Sequence, residues 1–326
     1  MDIDILLSLQ SFREGIGSGL AGFMAKMTFL GEVNTVLVIM AAVYWCVSRD
    51  FGTYLLMGWS GNRLVNGVMK VSVCAYRPWV RDARILPYGD ALTTATGYSF
   101  PSGHTTNAGT VYGGGAVRKD LPPALRITLG LVVALVALSR CFLGVHTPQD
   151  VLVGAAASLL VMGLTVKLMA WVERHPGKDW LVACAGLGLA LAVALYAAFK
   201  PYPADFDAEG RLLVDGAKMA NDTFKGVGWC AAFLAGWVLE RRFVSFSTGV
   251  PLLRRVTRLA AGLLGYYFVS LAAAPVVKDW IGGPAGTLLS CFLQMFTVVF
   301  LIPLLFSLAE KRADARGKAV DKAGNA

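Results

Sequence analysis

The stretch PSGH at residues 101–104 decides how the rest of the chain is interpreted. Two further stretches accompany it, KVSVCAYRP at residues 70–78 and SRCFLGVHTPQD at residues 139–150. Together the three stretches hold two histidines, three cationic side chains and one carboxylate, most of them at the ends of apolar segments. A histidine can act as a nucleophile, and fixed cations stabilise developing negative charge. The three stretches therefore predict a site that holds a phosphoryl group and attacks it without a metal ion.

The composition is that of a membrane protein. The 326-residue chain is 56% hydrophobic and 16% charged, with a mean hydropathy of +0.59, whereas soluble domains carry about 25% charged residues. Apolar runs close to the ~20 residues that cross a bilayer recur along the chain. We therefore predict an all-α fold, a polytopic transmembrane helical bundle with about nine spans. Residues 3–29 are more polar and predict one or two amphipathic helices at the membrane interface.

The second predicted span, residues 51–74, is unusually polar. Its side chains Arg63, Asn66 and Lys70 follow a 3,4 spacing and share one helical face. At membrane depth such a face must meet the bundle interior or a wet cavity. If the helix continues, Arg77 returns to nearly the same face before Pro78 ends the helix.

The distribution of charged residues indicates which partners the protein can bind and how it is oriented in the membrane. The net charge of +9 arises largely from Lys and Arg in loops on the side opposite the three stretches, as the positive-inside rule expects of a cytoplasmic face. We therefore predict a multi-pass protein of the cell inner (plasma) membrane, with its site on the extracytoplasmic side and no nucleic-acid partner. The six cysteines show no C-x-x-C spacing and are predicted to be buried apolar side chains. Because no Asp/Glu cluster has metal-ligand spacing, no metal and no other cofactor is predicted.

In order and internal spacing, the three stretches resemble the signature of the type 2 phosphatidic acid phosphatase (lipid phosphate phosphatase) superfamily, in its bacterial-type integral membrane form. Every signature position is filled. The resemblance covers residues 1–172, which we predict to form the catalytic helical bundle. Residues 173–310 are predicted to be an additional four-helix transmembrane region of unknown role. Residues 311–326 are predicted to be a basic, disordered cytoplasmic tail.

The cationic positions predict phosphate binding. A phosphomonoester carries close to two negative charges at neutral pH, so its site needs fixed positive charge and several donors. The candidate phosphate-binding residues are Lys70, Arg77, Arg140, Ser102 and Gly103. Any one of these cations alone would fit a side chain that snorkels from a span end, whereas three at these spacings favour a phosphate site. The motif positions with a supporting role are Pro78, Pro101 and Ser139.

The remaining polar positions predict catalysis. His146 is the candidate nucleophile, giving a phosphohistidine. Asp150 would accept the N–H of the other ring nitrogen and fix the tautomer. The pattern Thr147-x-x-Asp150 equally predicts a helix cap, and both interpretations stay open here. His104 is the candidate general acid, which would later deprotonate the attacking water. The resemblance implies the same roles and metal-independent turnover.

The resemblance implies hydrolysis of a phosphomonoester or pyrophosphate of a membrane lipid, and the sequence does not choose among phosphatidic acid, phosphatidylglycerophosphate, isoprenoid pyrophosphate and sphingoid phosphates. The expected partners are this lipid and the bilayer, and a homo-oligomer stays open. The alternatives are a phosphotransferase that moves the phosphoryl group to an alcohol, and a transporter or scaffold with a relic site. A vanadium-dependent haloperoxidase is disfavoured by the density of spans. Lys278 and Asp279, at a span end, are expected to snorkel. No function follows for the second half.

Overall fold

The fold is described from a computed structural model that covers residues 2–324, without the side chains of residue 94 and residues 316–324. The helices of the first half are α1 (Asp2–Ile16), α2 (Ser18–Thr28), α3 (Val33–Val47), α4 (Arg49–Val73), α5 (residues 103–116), α6 (Pro123–Phe142) and α7 (Pro148–Arg174). The helices of the second half are α8 (Asp179–Phe199), α9 (Gly216–Leu239), α10 (Leu252–Ile281) and α11 (residues 283–324). Short helical turns cover Phe29–Gly31, Pro78–Arg81, Ala91–Thr94 and Glu240–Val244.

The helical membrane architecture predicted from the sequence is confirmed, including two N-terminal helices, α1 and α2. Over residues 2–324 the only β-type pairing is one isolated bridge, Phe206 with Leu212. Five helical stretches are long and apolar enough to cross a membrane, and α2 with α3, bent by 55°, makes a sixth candidate. Helices α4 and α9, with 25 and 24 residues, are long enough to cross a membrane but are too polar to count among these candidates. Counted by length and composition, the described residues therefore contain five or six candidate spans, fewer than the nine predicted.

Helix α4 ends close to the predicted end of its span at residue 74 and does not continue to Arg77. Cys74 takes up the left-handed conformation, with φ 51° and ψ 33°, and its N–H donates to the carbonyl oxygen of Lys70 at 3.1 Å. This closes the helix at Val73, and Arg77 reaches the site from a loop instead. Pro78 does not end α4 but begins the turn Pro78–Arg81, because its missing N–H and fixed φ suit a first helical position.

The C-terminal end also differs from the expectation. Helix α11 continues to Gly324, whereas the sequence predicted a disordered tail from residue 311. The segment 309–324 is rich in Ala, Lys and Arg, which are strong helix formers, so a helix that leaves the bundle can extend through it. Residues 325–326 of the predicted tail lie outside the described residues.

The polar face of α4 bonds to α5 inside the bundle. The Nδ2 atom of Asn62 donates to Thr110 Oγ1 at 2.8 Å, and Asn66 Nδ2 donates to Thr106 Oγ1 at 3.1 Å. All four side chains are buried. Buried polar groups at membrane depth must find partners within the protein. These bonds explain why a membrane helix carries such polar residues and fix α5 against α4.

Glycines of α5 let a neighbouring helix, α7, approach closely. A Cβ on Gly114 would lie 2.7 Å from the Cε atom of Met162 in α7. A Cβ on Gly109 would lie 2.0 Å from Ser158 Oγ of the same helix. The flexible end of Met162 could move away from a Cβ at position 114, whereas a Cβ at position 109 would also lie 3.0 Å from Ser158 Cβ, so the packing requires glycine chiefly at Gly109.

The two halves of the chain share one apolar core. The ring of Trp59 in α4 lies 5.1 Å, centroid to centroid, from that of Trp229 in α9. The Trp45 indole N–H of α3 donates to the carbonyl oxygen of Val298 in α11 at 2.9 Å. Buried side chains from both halves form a single continuous cluster. The second half therefore packs directly on α3 and on α4, the helix that carries the polar face.

Candidate active site

A cavity of about 680 Å³ lies between the two halves of the bundle. Five residues that the sequence assigned to the site line it, namely Lys70, Arg77, Gly103, His104 and His146. They come from the end of α4, the loop after it, the start of α5 and the loop before α7. The cavity thus brings together side chains up to 76 positions apart, the separation of residues 70 and 146. The expected face of α4 is confirmed, because Arg63 and Asn66 line the same cavity.

The imidazole of His146 is buried and held at both ring nitrogens. Its Nδ1 atom lies 3.2 Å from Asp150 Oδ2, and its Nε2 atom lies 2.9 Å from Arg77 Nη1. A guanidinium can only donate, and an ionised carboxylate can only accept. Nδ1 therefore carries the proton, and Nε2 presents its lone pair on the cavity side.

The surroundings of His146 favour the neutral ring. Burial lowers the pKa of His146 well below its ordinary value, and the positive charges of Arg77, Arg140 and Lys70 lower it further. A lowered pKa means that the unprotonated imidazole persists at neutral pH. A neutral imidazole is the form that can attack phosphorus, once the Nε2 lone pair is released from Arg77 Nη1.

The two interpretations of Asp150 coexist in the structure. Thr147 Oγ1 accepts from the Asp150 N–H at 3.4 Å, and the Thr147 N–H donates to Asp150 Oδ2 at 2.9 Å, which is a capping box at the start of α7. The same Oδ2 atom accepts from His146 Nδ1. One carboxylate oxygen therefore holds both the helix start and the histidine, so the cap positions the tautomer-fixing group.

Ser99 is a site residue that the sequence analysis missed. Its hydroxyl is buried and donates to Asp150 Oδ2 at 2.5 Å, and it lies 3.4 Å from His146 Nδ1. A serine two residues before Pro101 carries no spacing signal of its own. Only the folding of the loop back onto α7 brings Ser99 to the carboxylate.

Arg77 and Lys70 also brace the loops around the cavity. Arg77 donates to the carbonyl oxygens of Val145 at 2.9 Å, Gly97 at 3.0 Å and Thr96 at 3.1 Å. Burial, and then the charge of Arg140, lowers the pKa of Arg77 to about 9, so the side chain stays charged at neutral pH. Lys70 Nζ donates to two further loop carbonyl oxygens, Tyr98 at 2.9 Å and Pro101 at 3.2 Å.

Arg140 lies behind the cavity wall rather than on it. Its side chain is fully buried, and Nη1 donates to Thr28 Oγ1 at 2.6 Å. Within residues 2–324 its Nε and Nη2 atoms have no hydrogen-bond partner. A buried cation with unused donors is costly unless it serves an anion. Its charge acts on both His104 and His146, which places it beside the reacting groups.

At the start of α5, Ser102 has a structural role and Gly103 belongs to the site. Ser102 is fully buried and caps α5, because its Oγ accepts from the Thr105 hydroxyl at 3.1 Å and from the Thr105 N–H. Gly103 lines the cavity, and a Cβ on it would meet no atom within 4 Å. Its backbone therefore faces open space at the positive end of the helix. Ser139 bonds to the Val136 carbonyl oxygen at 2.7 Å and has a local turn role.

His104 faces the cavity one residue after Gly103. In the described part of the chain, its Nε2 atom has no hydrogen-bond partner. The backbone around it is closely packed, because a Cβ on Gly31 would lie 2.7 Å from the His104 carbonyl oxygen. An imidazole with an unused ring nitrogen, in a residue that lines the cavity, is placed for proton transfer to a bound molecule.

The other sequence expectations concern sulfur and metals. All six cysteines are free, and four of them are buried, whereas Cys74 is half-buried and Cys184 is exposed. Over residues 2–324 no group of three or more His, Cys, Asp and Glu side chains is arranged around a common point as metal ligands would be.

The second half builds the opposite wall of the cavity. Its helices contribute charged and polar side chains, among them Asp222, Lys225, Lys278, Asp279 and Gln294. The sequence analysis left the second half without a function and expected Lys278 and Asp279 to snorkel. Both are exposed, but they lie at the cavity rim. The signal that could have identified these residues from the sequence is the presence of polar side chains in otherwise apolar helices.

A membrane bundle with a tautomer-fixed histidine and several cations around an internal cavity defines a membrane phosphatase. Comparison with known proteins identifies its family. A sequence profile of the PAP2 superfamily matches residues 33–174, and a profile of the PAP2 superfamily phosphatase transmembrane extension matches residues 224–313. Phosphatidylglycerophosphatase B of Bacillus subtilis (strain 168) is 32% identical over 193 residues, which make up 52% of this chain and 90% of that protein. The chain belongs to the PAP2 superfamily and is an integral membrane phosphoric monoester hydrolase.

A solved structure shows a partial likeness. The crystal structure of the first transmembrane PAP2 type phosphatidylglycerolphosphate phosphatase from Bacillus subtilis is 28% identical to this chain, with a TM-score of 0.44. The match covers 54% of this chain and 87% of that one. The family resemblance drawn from the three sequence stretches is confirmed by the family profiles and by the Bacillus subtilis relative.

Proposed function

We propose that this phosphatase hydrolyses the terminal phosphomonoester of a membrane lipid through a phosphohistidine on His146. The observation that carries the proposal is the pairing of His146, with Nδ1 on Asp150 and Nε2 beside Arg77 in the cavity. The name of the Bacillus subtilis relative supports phosphatidylglycerophosphate as the first substrate to test. A lipid pyrophosphate and the phosphotransferase alternative stay open as further predictions.

The first chemical step transfers the phosphoryl group to the protein. The phosphate oxygens take over the donors of Arg77, which releases the Nε2 lone pair of His146. This nitrogen attacks phosphorus as the bond to the lipid oxygen breaks, and the leaving alkoxide takes a proton from His104, whose protonated form the negative charge of the bound phosphate favours. Asp150 stabilises the positive charge that develops on the ring.

The second step returns the protein to its starting state. His104, now neutral, removes a proton from water, and the resulting hydroxide attacks the phosphorus of the phosphohistidine. The bond between phosphorus and Nε2 of His146 breaks, and inorganic phosphate leaves. The products are the lipid alcohol and phosphate, and one water molecule is consumed.

Protein cations supply the positive charge that the transition state needs. Lys70, Arg77 and Arg140 surround the histidine pair, and the start of α5 adds the positive end of a helix. These groups act on the negative charge that the phosphoryl oxygens carry in the transition state. We therefore propose turnover that does not depend on a divalent metal.

The proposed function predicts phosphate release that withstands chelation. Purified protein in detergent micelles is given phosphatidylglycerophosphate, phosphatidic acid, a sphingoid phosphate and an isoprenoid pyrophosphate, each with and without EDTA. We expect release from at least one lipid phosphomonoester at equal rates in both conditions, because the charge is stabilised by side chains.

Two results would contradict the proposal in different ways. Release that requires added Mg²⁺ would overturn metal independence. Transfer of labelled phosphate to an added alcohol, with no free phosphate, would favour the phosphotransferase alternative.

We also propose that the cavity faces the extracytoplasmic side of the inner membrane. The basic residues at the far end of the bundle lie together, because Arg49 pairs with Glu240 at 2.7 Å and Arg241 pairs with Asp179 at 3.3 Å. Arg49 begins α4, whereas Lys70 lies near its opposite end. The positive-inside rule places such a basic end in the cytoplasm.

The orientation predicts which engineered cysteines an impermeant reagent reaches. In intact cells, Asp90→Cys should be labelled above the wild-type background, and Lys178→Cys should be labelled only after the membrane is broken. Both positions are exposed and lie in loops at opposite ends of the bundle. The reverse pattern would invert the orientation and leave the chemistry untouched.

A further inference from the structure

We propose that Arg63 of α4, assisted by the Thr287 hydroxyl of α11, binds a second phosphate of the substrate that is not cleaved. This second group is a phosphodiester, one glycerol unit away from the phosphate at His146. The inference rests on the proposed function and narrows its substrate class. It gives the second half of the chain a role in selecting the head group.

Arg63 is a cation that the catalytic site does not use. Its guanidinium lies between two indole rings, 5.7 Å from the centroid of Trp59 and 5.1 Å from that of Trp229. Over residues 2–324 it forms no ion pair, and its Nε atom is buried without a hydrogen-bond partner. The faces of the two indole rings attract the guanidinium group by cation–π interaction. They accept no hydrogen bond from its N–H groups, which point outward in the plane of the guanidinium. The planar donors therefore stay available for an anion in the cavity that Arg63 lines.

The position of Arg63 sets the distance between the two phosphates. Arg63 lies seven residues before Lys70 on α4, which is about 10 Å along the helix axis and two turns farther from the end that carries the reacting groups. The terminal phosphate of a lipid lies farthest from the acyl chains, and its phosphodiester lies nearer to them. A lipid whose terminal phosphate reaches His146 therefore places its phosphodiester toward Arg63, which lies within electrostatic range of Lys70.

The second half supplies the other wall around this position. Arg63 lies within electrostatic range of Asp222 in α9 and Cys291 in α11. Thr287, four residues before Cys291, shares its helical face and also lines the cavity. Thr287 is 1% exposed, and its Oγ1 has no hydrogen-bond partner among the described residues. An unused buried hydroxyl facing a cavity is what a bound polar group would satisfy.

The other charges of this wall do not replace Arg63. The carboxylate of Asp222 is already paired with Lys225 Nζ at 2.6 Å. Lys278 and Asp279 are neighbours of opposite charge at the rim. Like Lys70 and Arg77 at the catalytic end, Arg63 is thus a cation of the cavity without a carboxylate partner of its own in the described chain. A second anion on the substrate complements it.

The distance between Lys70 and Arg63 distinguishes lipid classes by the separation of their phosphate groups. In a pyrophosphate the two phosphorus atoms share one bridging oxygen, so both groups stay near Lys70 and neither reaches Arg63. In phosphatidic acid there is one phosphate only. A head group with two phosphates separated by glycerol is the class that places one anion at each cation.

The test compares substrates in Arg63→Gln. With phosphatidylglycerophosphate, we expect kcat/KM to fall about 10- to 100-fold, the range for losing a charge-assisted hydrogen bond. With phosphatidic acid, we expect a change of less than about two-fold, typical of a residue that the substrate does not touch. Phosphatidylglycerol, which keeps the diester but lacks the scissile phosphate, should inhibit wild type more strongly than the variant.

The matched control is Lys218→Gln, which removes one positive charge from the start of α9. Lys218 is exposed and does not line the cavity. It should leave both substrates unchanged. Equal losses on phosphatidylglycerophosphate and phosphatidic acid in Arg63→Gln would show that Arg63 only stabilises the tryptophan packing, and the inference would be overturned.

Thr287→Val provides a second variant that conserves shape. Because the hydroxyl has no partner in the protein, the change should not lower the thermal unfolding temperature. We expect a loss of about 3- to 10-fold confined to phosphatidylglycerophosphate. No loss on any substrate would remove Thr287 from the site. Failure of wild type to release phosphate from either lipid would instead contradict the proposed function.

Discussion

Replacing His146 by Ala is expected to reduce phosphate release on the order of 10⁴-fold or more, the scale seen when a nucleophile is removed from a catalytic set. The reason is that no other described side chain presents a lone pair on the cavity side in a fixed tautomer. The measurement is phosphate release from phosphatidylglycerophosphate or phosphatidic acid in micelles, with EDTA present.

The chain offers a matched histidine control. His175 is the third histidine, at the end of α7, where its Nδ1 lies 2.8 Å from the Trp171 carbonyl oxygen and its ring stacks on Trp171. It belongs to the end of the bundle opposite the cavity. His175→Ala should keep activity within about two-fold, as a substitution away from the site does. Loss in both variants would indicate a general effect on folding.

Trapping the covalent intermediate tests whether His146 is the nucleophile or only supports the structure of the site. Rapid quenching of wild type with a ³²P-labelled lipid phosphate should leave acid-labile label on the protein, and His146→Ala should carry none. Turnover that persists in His146→Ala, or label found on another residue, would overturn the phosphohistidine mechanism.

Replacing Asp150 by Asn is expected to lower kcat on the order of 10³- to 10⁴-fold, because an amide can hold His146 in the wrong tautomer and does not stabilise the charge of the ring. Stability should change by less than about 1 kcal/mol, since the amide oxygen of Asn can still accept from the Thr147 N–H that closes the capping box. The measurements are phosphate release and thermal unfolding on the same preparation.

Thr147→Val completes the comparison, because it removes the cap acceptor while leaving the Thr147 N–H and the His146 contact of Asp150. We expect a loss of about 1 kcal/mol in stability and little loss of activity. If Asp150→Asn instead lost stability and kept its activity, Asp150 would be a cap alone.

Much of the site could be predicted from sequence because its chemistry depends on a few residue types at fixed local spacings. His146 and Asp150 are four residues apart at a helix start, so their contact follows from local geometry. The polar face of α4 likewise follows from a single helix, since polar groups at membrane depth must face inward. The homo-oligomer and the domain boundaries stay predictions.

Other features depended on contacts that no local spacing encodes. Ser99 reaches Asp150, and Thr28 reaches Arg140, across 51 and 112 positions of the chain. The left-handed Cys74 ends α4 at the predicted end of the span, and Arg77 reaches the site from a loop rather than from a continued helix. A residue at a helix end has few intrahelical partners, so loop contacts decide its conformation.

The sequence by itself determined that this is a helical membrane protein with a phosphoryl-transfer site, because apolar run length and local motif spacing are properties of short segments. Only the tertiary structure decided that the second half walls the same cavity and that Arg63 faces it without a carboxylate partner. Packing α9 and α11 against α4 is a matter of side-chain shape between distant helices, and such shape is set by the whole bundle rather than by any one of its stretches.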